Sequence, residues 1–192
     1  MSEPAQTADE ALRPWIAAWA LVPDGATFTT RFGSHLAPVL AEGAPAMLKV
    51  AGSDEERRGG ALIDWYGGDG AARVLARAGE AILLERAAGL RSLAGMAATG
   101  DDDGASRIIC KTIARLHAPR AAPPPDTLVP LPIWFQALGP AAAAHGGVFA
   151  GSLAAADRLL SDPREPVVLH GDVHHDNILD GGPRGWLERG PF

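Results

Sequence analysis

The chain has 192 residues, 47% of them hydrophobic, and a formal charge of −6. That is enough apolar material for one domain or two small lobes, and it excludes a disordered chain. The acidic balance argues against a nucleic-acid partner, because phosphate backbones are bound by clustered Lys and Arg. It suits a cationic small molecule. Cys110 is the only cysteine, so neither an internal disulfide nor a cysteine-based zinc site can form. Met1-Ser2-Glu3-Pro4 lacks the apolar core of a secretory leader, and no run of about 18 apolar residues offers a membrane span. A cytoplasmic protein is expected.

Asp9 to Ala20 reads as a helix, with Leu12, Trp15, Ile16 and Trp19 on one face. Pro23-Asp24-Gly25 is a turn, and Phe28-Thr29-Thr30 follows. Leu36 to Ala41 and Ala46 to Val50 read as strands joined by a turn at Glu42-Gly43. Asp54 to Trp65 is helical, although Gly59-Gly60 weakens it. Gly67 to Gly70 is a loop, and Arg73 to Leu75 and Ala81 to Glu85 are two more strands.

Ala105 to His117 is a further helix, preceded by Asp101, Asp102 and Asp103, whose charges favour its N-terminus. Ala105, Ile109, Ile113 and Leu116 share a face. His117 reads as a C-terminal cap. Six prolines between Pro119 and Pro132 predict a stiff, non-helical loop. Helical stretches around Trp134 to Leu138 and Val148 to Leu160 complete an α+β plan. Ala141 to Ala144 reads as compositional bias.

The chemistry concentrates in Val167 to Leu179. An apolar strand is expected to lead in, a polar loop presents Asp172, and Asn177 follows five residues later before a second strand. Phosphoryl transfer needs a carboxylate near the attacking hydroxyl, oxygen ligands for a metal, and cations that hold phosphates. Asp172 can be the carboxylate, Asn177 can offer its amide oxygen to a hard metal, and His170 can brace the loop. The alternatives are a polar turn, or a metal site of a hydrolase built from His170, His174, His175 and Asp172.

Lys49, in a strand, reads as a phosphate-holding lysine or as an edge-strand lysine that deters aggregation. Glu56 is the candidate that orients it, with Glu55 a close competitor. Thr29 and Thr30 can cover phosphates through backbone amides and hydroxyls. Glu85 and Ala87, in the run Leu83-Leu84-Glu85-Arg86-Ala87, can contact an adenine, or the run is a plain buried strand.

These residues resemble the aminoglycoside phosphotransferase family, and within it the streptomycin 6-kinase and hydroxyurea kinase branch. The resemblance is carried by Thr27 to Thr30, Pro45 to Lys49, Asp54 to Trp65, Gly70 to Leu75, Leu83 to Arg86, His170 to Leu179 and Arg184-Gly185-Trp186-Leu187. It implies a protein-kinase-like two-lobe fold. Residues 1–88 would form a small antiparallel-sheet lobe that binds nucleotide, and residues 89–192 a mostly helical, incomplete lobe. It implies transfer of the γ-phosphate of ATP, with Mg2+, to a hydroxyl of a small-molecule substrate such as an aminoglycoside. Asp172 would be the catalytic base, Asn177 a magnesium ligand, Lys49 the phosphate contact and Glu56 its ion-pair partner.

The sequence departs from the family in one place. There, Gly-Trp-Leu runs on to an Asp-Pro segment whose aspartate binds magnesium, and the spacing puts that aspartate at Gly190. Glu188 lies two residues earlier, on the same side of a strand but about 6–7 Å away. The family also has substrate-binding helices beyond this segment. The expectation is a C-terminally truncated kinase, with a non-catalytic pseudokinase as the alternative.

Overall fold

A computed structural model describes residues 7–190. The N-terminal positions Met1 to Pro4 and the terminal Pro191-Phe192 lie outside them. Helix α1 (Ala8–Ala18) starts at a reciprocal cap, in which Glu10 N–H donates to Thr7 Oγ1 and Thr7 N–H to Glu10 Oε2. Two orphan amides are satisfied in one stroke. Strands β1 (Val22–Pro23) and β2 (Phe28–Thr29) both pair with β3 (His35–Ala41). β3 turns into β4 (Ala44–Val50) through Glu42 and Gly43, with φ of 51° and 81°. Two successive left-handed residues are what a tight hairpin between twisted strands requires, and glycine serves the second. Helix α2 (Asp54–Tyr66) follows, then β5 (Val74–Ala78) and β6 (Ala81–Glu85). The sheet order is β1-β3-β4-β6-β5, antiparallel throughout, with β2 beside β3.

The pleat sorts this sheet into two faces. Ala46, Leu48 and Val50 of β4, Ala37 and Val39 of β3, and Ala81 and Leu83 of β6 form one core with Leu12. Trp15, Ile16 and Trp19 of α1 pack against it. Each of the Leu and Val side chains taken from water contributes about 1.5–3 kcal/mol. Lys49, between Leu48 and Val50, therefore points to the opposite face. There α2 buries Glu56, Gly59, Leu62, Ile63 and Tyr66 along one stripe. Gly59 and Gly60 are helical after all. A side-chain carbon at Gly60 would lie 3.6 Å from Ile82 Cδ1, an ordinary contact, so this position of α2 faces the sheet.

Helices α3 (Leu93–Ala98) and α4 (Asp102–Leu116) pack together. Strands β7 (Ile178–Asp180) and β8 (Trp186–Glu188) form a two-stranded antiparallel ribbon. Leu93, Ala105 and Ile178 share a second core with Val173 and Trp186 at its edge, which seats the His170–Asn177 loop. Polar clamps tie the parts together. Arg120 donates to Leu116, Ala118 and Asp69 carbonyls and lies over the rings of Trp65 and Tyr66. Arg184 pairs with Glu85 and donates to the Gly68 carbonyl.

The described chain divides into two compact units. One takes the residues up to Pro125 and those from Leu169 on, and the other is Asp126–Val168. The second holds helices α5 (Leu131–Trp134), α6 (Leu138–His145) and α7 (Gly147–Ser161). Its contacts include the rings of His145 and Phe149, tilted at 48° with centroids 5.7 Å apart.

The α+β architecture matches the expectation, with four local differences. The helix expected around Trp134 to Leu138 is instead a turn over residues 135–137, between α5, which ends at Trp134, and α6, which begins at Leu138. Val167-Val168-Leu169 is not a strand: no described strand pairs with it, and Val167 and Leu169 remain nearly half exposed. Ala141 to Ala144 is helical, because alanine favours helix when nothing competes. Pro132 lies in the first turn of α5, where its missing N–H costs no bond.

Candidate active site

Lys49 and Glu56 form a buried ion pair, 5% and 7% exposed. Strand register sets the lysine, and helix start sets the glutamate. Ser53 caps α2 by accepting from Glu56 N–H at 3.3 Å, which places the Glu56 side chain on the first inward turn. Glu55 is exposed on the other side. Burial pushes the Lys49 pKa down, and the hydrogen bond and charge of Glu56 oppose it. The charge of Arg189 lowers it further, whereas Glu188 raises it. Lys49, Glu56, Gly60, Ile63, Ile82 and Arg189 are among the residues lining one cleft.

Asp172 and Asn177 are joined directly. The Asn177 Nδ2 amide donates to Asp172 Oδ2 at 2.9 Å and to the Asp172 carbonyl at 2.7 Å. Asn177 is 1% exposed, whereas Asp172 is exposed. A buried amide thus holds a carboxylate that faces solvent, where an acceptor hydroxyl can reach it. The other face of Asn177 is engaged too. Its Oδ1 accepts from Arg189 Nε at 3.4 Å and Nη2 at 3.3 Å.

His170 braces the loop from below. Its Nδ1 accepts from Asp172 N–H at 3.3 Å, and its Nε2 lies 2.8 Å from Glu188 Oε1. Glu188 is fully buried, and its Oε1 also accepts from Gly190 N–H at 2.6 Å. The backbone of Glu188 is held by residues 70–72: its N–H donates to Gly70 O, and its carbonyl accepts from Ala72 N–H.

The remaining candidates are committed elsewhere. Thr29 Oγ1 contacts His35 Nδ1 at 2.9 Å, and Thr30 Oγ1 accepts from Ser34 N–H at 3.1 Å. Both hydroxyls close their own hairpin. Glu85 accepts from Arg73 N–H and pairs with Arg184, so its side chain fastens the sheet. Ala87 lies in the irregular segment just beyond β6. The three histidines of the alternative metal site diverge. His170 turns to Glu188, and His175 lies 4.0 Å from Asp102; only His174, whose Nδ1 accepts from Asp176 N–H, brings its Nε2 within 3.8 Å of Asp172 Oδ2. Arg189 escaped the sequence reading because nothing local marks it; only the β7–β8 register aims it at Asn177.

A magnesium ion would need several hard oxygen donors around an open position. Here Asn177 Oδ1 holds the Arg189 guanidinium, and the Glu188 carboxylate is turned to His170 and Gly190 N–H. At Gly190 the backbone has φ +95°, and a side-chain carbon there would meet Ile63 Cγ1 at 3.3 Å. Among the described residues no group of three or more His, Cys, Asp or Glu could hold a metal. The donors present do not fit magnesium.

An antiparallel sheet with an inward lysine–glutamate pair, followed by helices and an Asp-to-Asn loop, defines a protein-kinase-like fold. In agreement, the crystal structure of a "putative fructosamine-3-kinase" from Thermobifida fusca YX-ER1 superposes with a TM-score of 0.58 at 19% identity, over 95% of this chain and 73% of the other. The chain belongs to the aminoglycoside/hydroxyurea antibiotic resistance kinase family, whose model matches residues 18–192. It is 51% identical to the streptomycin 3''-kinase of Klebsiella pneumoniae over 90% of its length and 64% of that protein's. It is 30% identical to the streptomycin 6-kinase of Streptomyces griseus, over 90% of its length and 58% of that protein's. The chain therefore spans less than two-thirds of these relatives. Among the described residues no helix is long and apolar enough to cross a membrane.

Proposed function

We propose that this chain is an ATP-dependent phosphotransferase that moves a γ-phosphate to a hydroxyl of an aminoglycoside of the streptomycin type. The observation that carries the reading is that one unit holds both the buried Lys49–Glu56 pair and Asp172 held by Asn177. Lys49 contacts the phosphates, and Glu56 keeps it in place. Asp172 accepts the proton of the attacking hydroxyl, whose oxygen bonds the γ-phosphorus as the P–O bond to the β-phosphate breaks and ADP leaves. Residues 1–88 act as the nucleotide-binding lobe and residues 89–192 as the lobe with the catalytic loop. The backbone of Glu85, at the end of β6, and of Ala87, just beyond it, flanks the adenine, and the backbone at Thr29 and Thr30 covers the phosphates. The net charge of −6 favours a cationic acceptor in the cytoplasm. Kinases of this class commonly use Mg2+ with ATP, but no step here is routed through a metal on Asn177.

Transfer of label from γ-labelled ATP to streptomycin tests this. The expected result is labelled drug with the native chain and a loss of about 10²–10⁴-fold with Asp172→Asn. Transfer unaffected by that change would remove Asp172 from the chemistry. A second reading, a nucleotide-binding chain without turnover, is favoured by the Arg189–Asn177 contact, because Asn177 Oδ1 is then engaged and not offered to a metal that would neutralise the moving phosphate. ATP binding with no labelled product would select it.

A further inference from the structure

Glu188 carries a carboxylate into a strand position that has no contact with solvent. Burying a charge costs stability unless its neighbours offset it, and an aliphatic side chain of similar size would often fill such a place at less cost. The backbone of Glu188 is fixed on two sides. The β7–β8 register pairs it with Ile178, its N–H donates to Gly70 O at 2.9 Å, and its carbonyl accepts from Ala72 N–H at 2.7 Å. From this anchored position Oε1 accepts from Gly190 N–H at 2.6 Å and lies 2.8 Å from His170 Nε2.

The two ring nitrogens of His170 have different tasks. Nδ1 accepts from Asp172 N–H at 3.3 Å, which requires its lone pair to be free. The neutral imidazole then carries its proton on Nε2, the nitrogen beside Glu188. A carboxylate oxygen at 2.8 Å attracts that N–H, even though the two are not aligned as a straight hydrogen bond. Against a bare nitrogen the facing lone pairs would repel. Glu188 thus selects the tautomer that leaves Nδ1 open to the Asp172 amide. Asp172 is then held twice, its backbone N–H by His170 and its carboxylate by Asn177 Nδ2. Neither the His170 nor the Glu188 side chain is open to solvent, so bulk water takes over neither role.

We propose that Glu188 is a positioning residue for Asp172: it holds His170 in the Nε2-protonated form, whose Nδ1 receives the Asp172 amide and so sets the carboxylate in place for the acceptor hydroxyl. Buried beneath the loop, it acts through His170. The inference rests on the phosphotransferase reading of Asp172 for its effect on rate, whereas the tautomer stands on geometry alone.

Nitrogen NMR of the full chain with labelled histidine reads the tautomer directly and needs no variant to fold; the His170 signals are those lost in His170→Leu. The expected result is His170 protonated at Nε2 and bare at Nδ1. Glu188→Leu should mix the tautomers and speed hydrogen exchange at the Asp172 amide. In transfer from γ-labelled ATP to streptomycin, Glu188→Leu should lower kcat by about 10–100-fold, the scale of a displaced catalytic group. KM for both substrates should stay within about twofold, because no substrate contact is removed. Glu188→Gln keeps an acceptor oxygen in the same place and should retain most of the rate. Glu188→Leu combined with His170→Leu should melt higher than Glu188→Leu alone, since no imidazole N–H is then buried without an acceptor. It should transfer no faster than His170→Leu alone, because the two residues act as a unit. His170 protonated at Nδ1 in the native chain would overturn the inference, as would native kcat in a folded Glu188→Leu. Recovery of rate together with melting temperature in the double variant would also overturn it, leaving Glu188 a packing role only. A native chain that transfers no label would remove the phosphotransferase reading, while the tautomer and the Asp172 amide exchange would still decide whether Glu188 positions the loop.

Discussion

The Asp180 carboxylate grips the Arg91 guanidinium with both oxygens, Oδ2 accepting from Nε at 2.7 Å and Oδ1 from Nη2 at 3.0 Å, across 89 positions of sequence. Asp180 ends β7, directly after the Asp172–Asn177 loop, and Arg91 lies between the sheet and α3. The contact therefore ties the loop's exit to the segment that leaves β6. The hydrogen bonds from Arg91, then those from the Gly182 and Arg91 amides, hold the Asp180 pKa down to about 2. A carboxyl with a depressed pKa binds its proton more readily in the unfolded chain. Its stabilising effect is complete above the ordinary aspartate pKa of about 3.9 and is lost as pH falls toward 2. Melting temperature measured against pH should thus show the native chain more stable than Arg91→Met at about pH 6, with the gap closing between about pH 4 and pH 2. A gap independent of acid would assign the Arg91 effect to packing over Trp186, 4.9 Å away.

Gly89 is expected to tolerate no side chain. Its N–H donates to the Asp180 carbonyl at 2.8 Å, and a side-chain carbon at Gly89 would fall inside the Asp180 carboxylate. Gly89→Ala must push that carboxylate off Arg91 or shift the segment, at a cost of about 1–3 kcal/mol. Denaturant unfolding gives the number. In an Asp180→Ala background the penalty should largely vanish, because the clashing atoms are gone.

Removing Lys49 leaves Glu56 as a buried carboxylate without its counter-ion. Lys49→Met is expected to destabilise by about 3–5 kcal/mol, and Lys49→Met combined with Glu56→Gln by much less, since an unpaired buried charge costs more than a lost pair. A double-mutant cycle in urea measures the coupling. Nucleotide affinity should fall in both variants, because the phosphate contact is absent from each. Equal destabilisation by the single and double changes would mean that water, not Lys49, satisfies Glu56.

Local signals account for what could be read in the sequence. Glu42-Gly43 marks the β3–β4 turn. The alternation around Lys49 gives its face, so its pairing with a residue on α2 follows from strand and helix periods. The failures share a cause. Val167 to Leu169 has the composition of a strand but gains no partner, and partners are a tertiary property. Arg189 sits one residue from a fully buried glutamate, yet its meaning depends on β8 pairing with β7 so that Arg189 N–H meets the Asn177 carbonyl. Asp180 and Arg91 are too far apart in sequence for any pattern to join them.

Asp172 and Asn177 should respond to substitution in opposite ways. Asp172 is exposed and its carboxylate accepts from Asn177, so Asp172→Asn keeps an oxygen for Asn177 Nδ2 and loses only the base. Stability should change by less than about 0.5 kcal/mol, as at other surface positions, ATP affinity should hold, and phosphate transfer should collapse. Asn177 is buried and bonded on both ends of its amide. Asn177→Ala removes partners of Asp172 and Arg189 together and leaves the guanidinium half-buried with one acceptor fewer, costing about 1–3 kcal/mol. Both stability and ATP affinity should then fall. Comparing melts with binding isotherms separates the two: a stable Asp172→Asn that binds but does not transfer, beside a weakened Asn177→Ala that binds poorly, is the expected pattern. The reverse would place the structural burden on Asp172 and leave the Asn177–Arg189 contact without consequence.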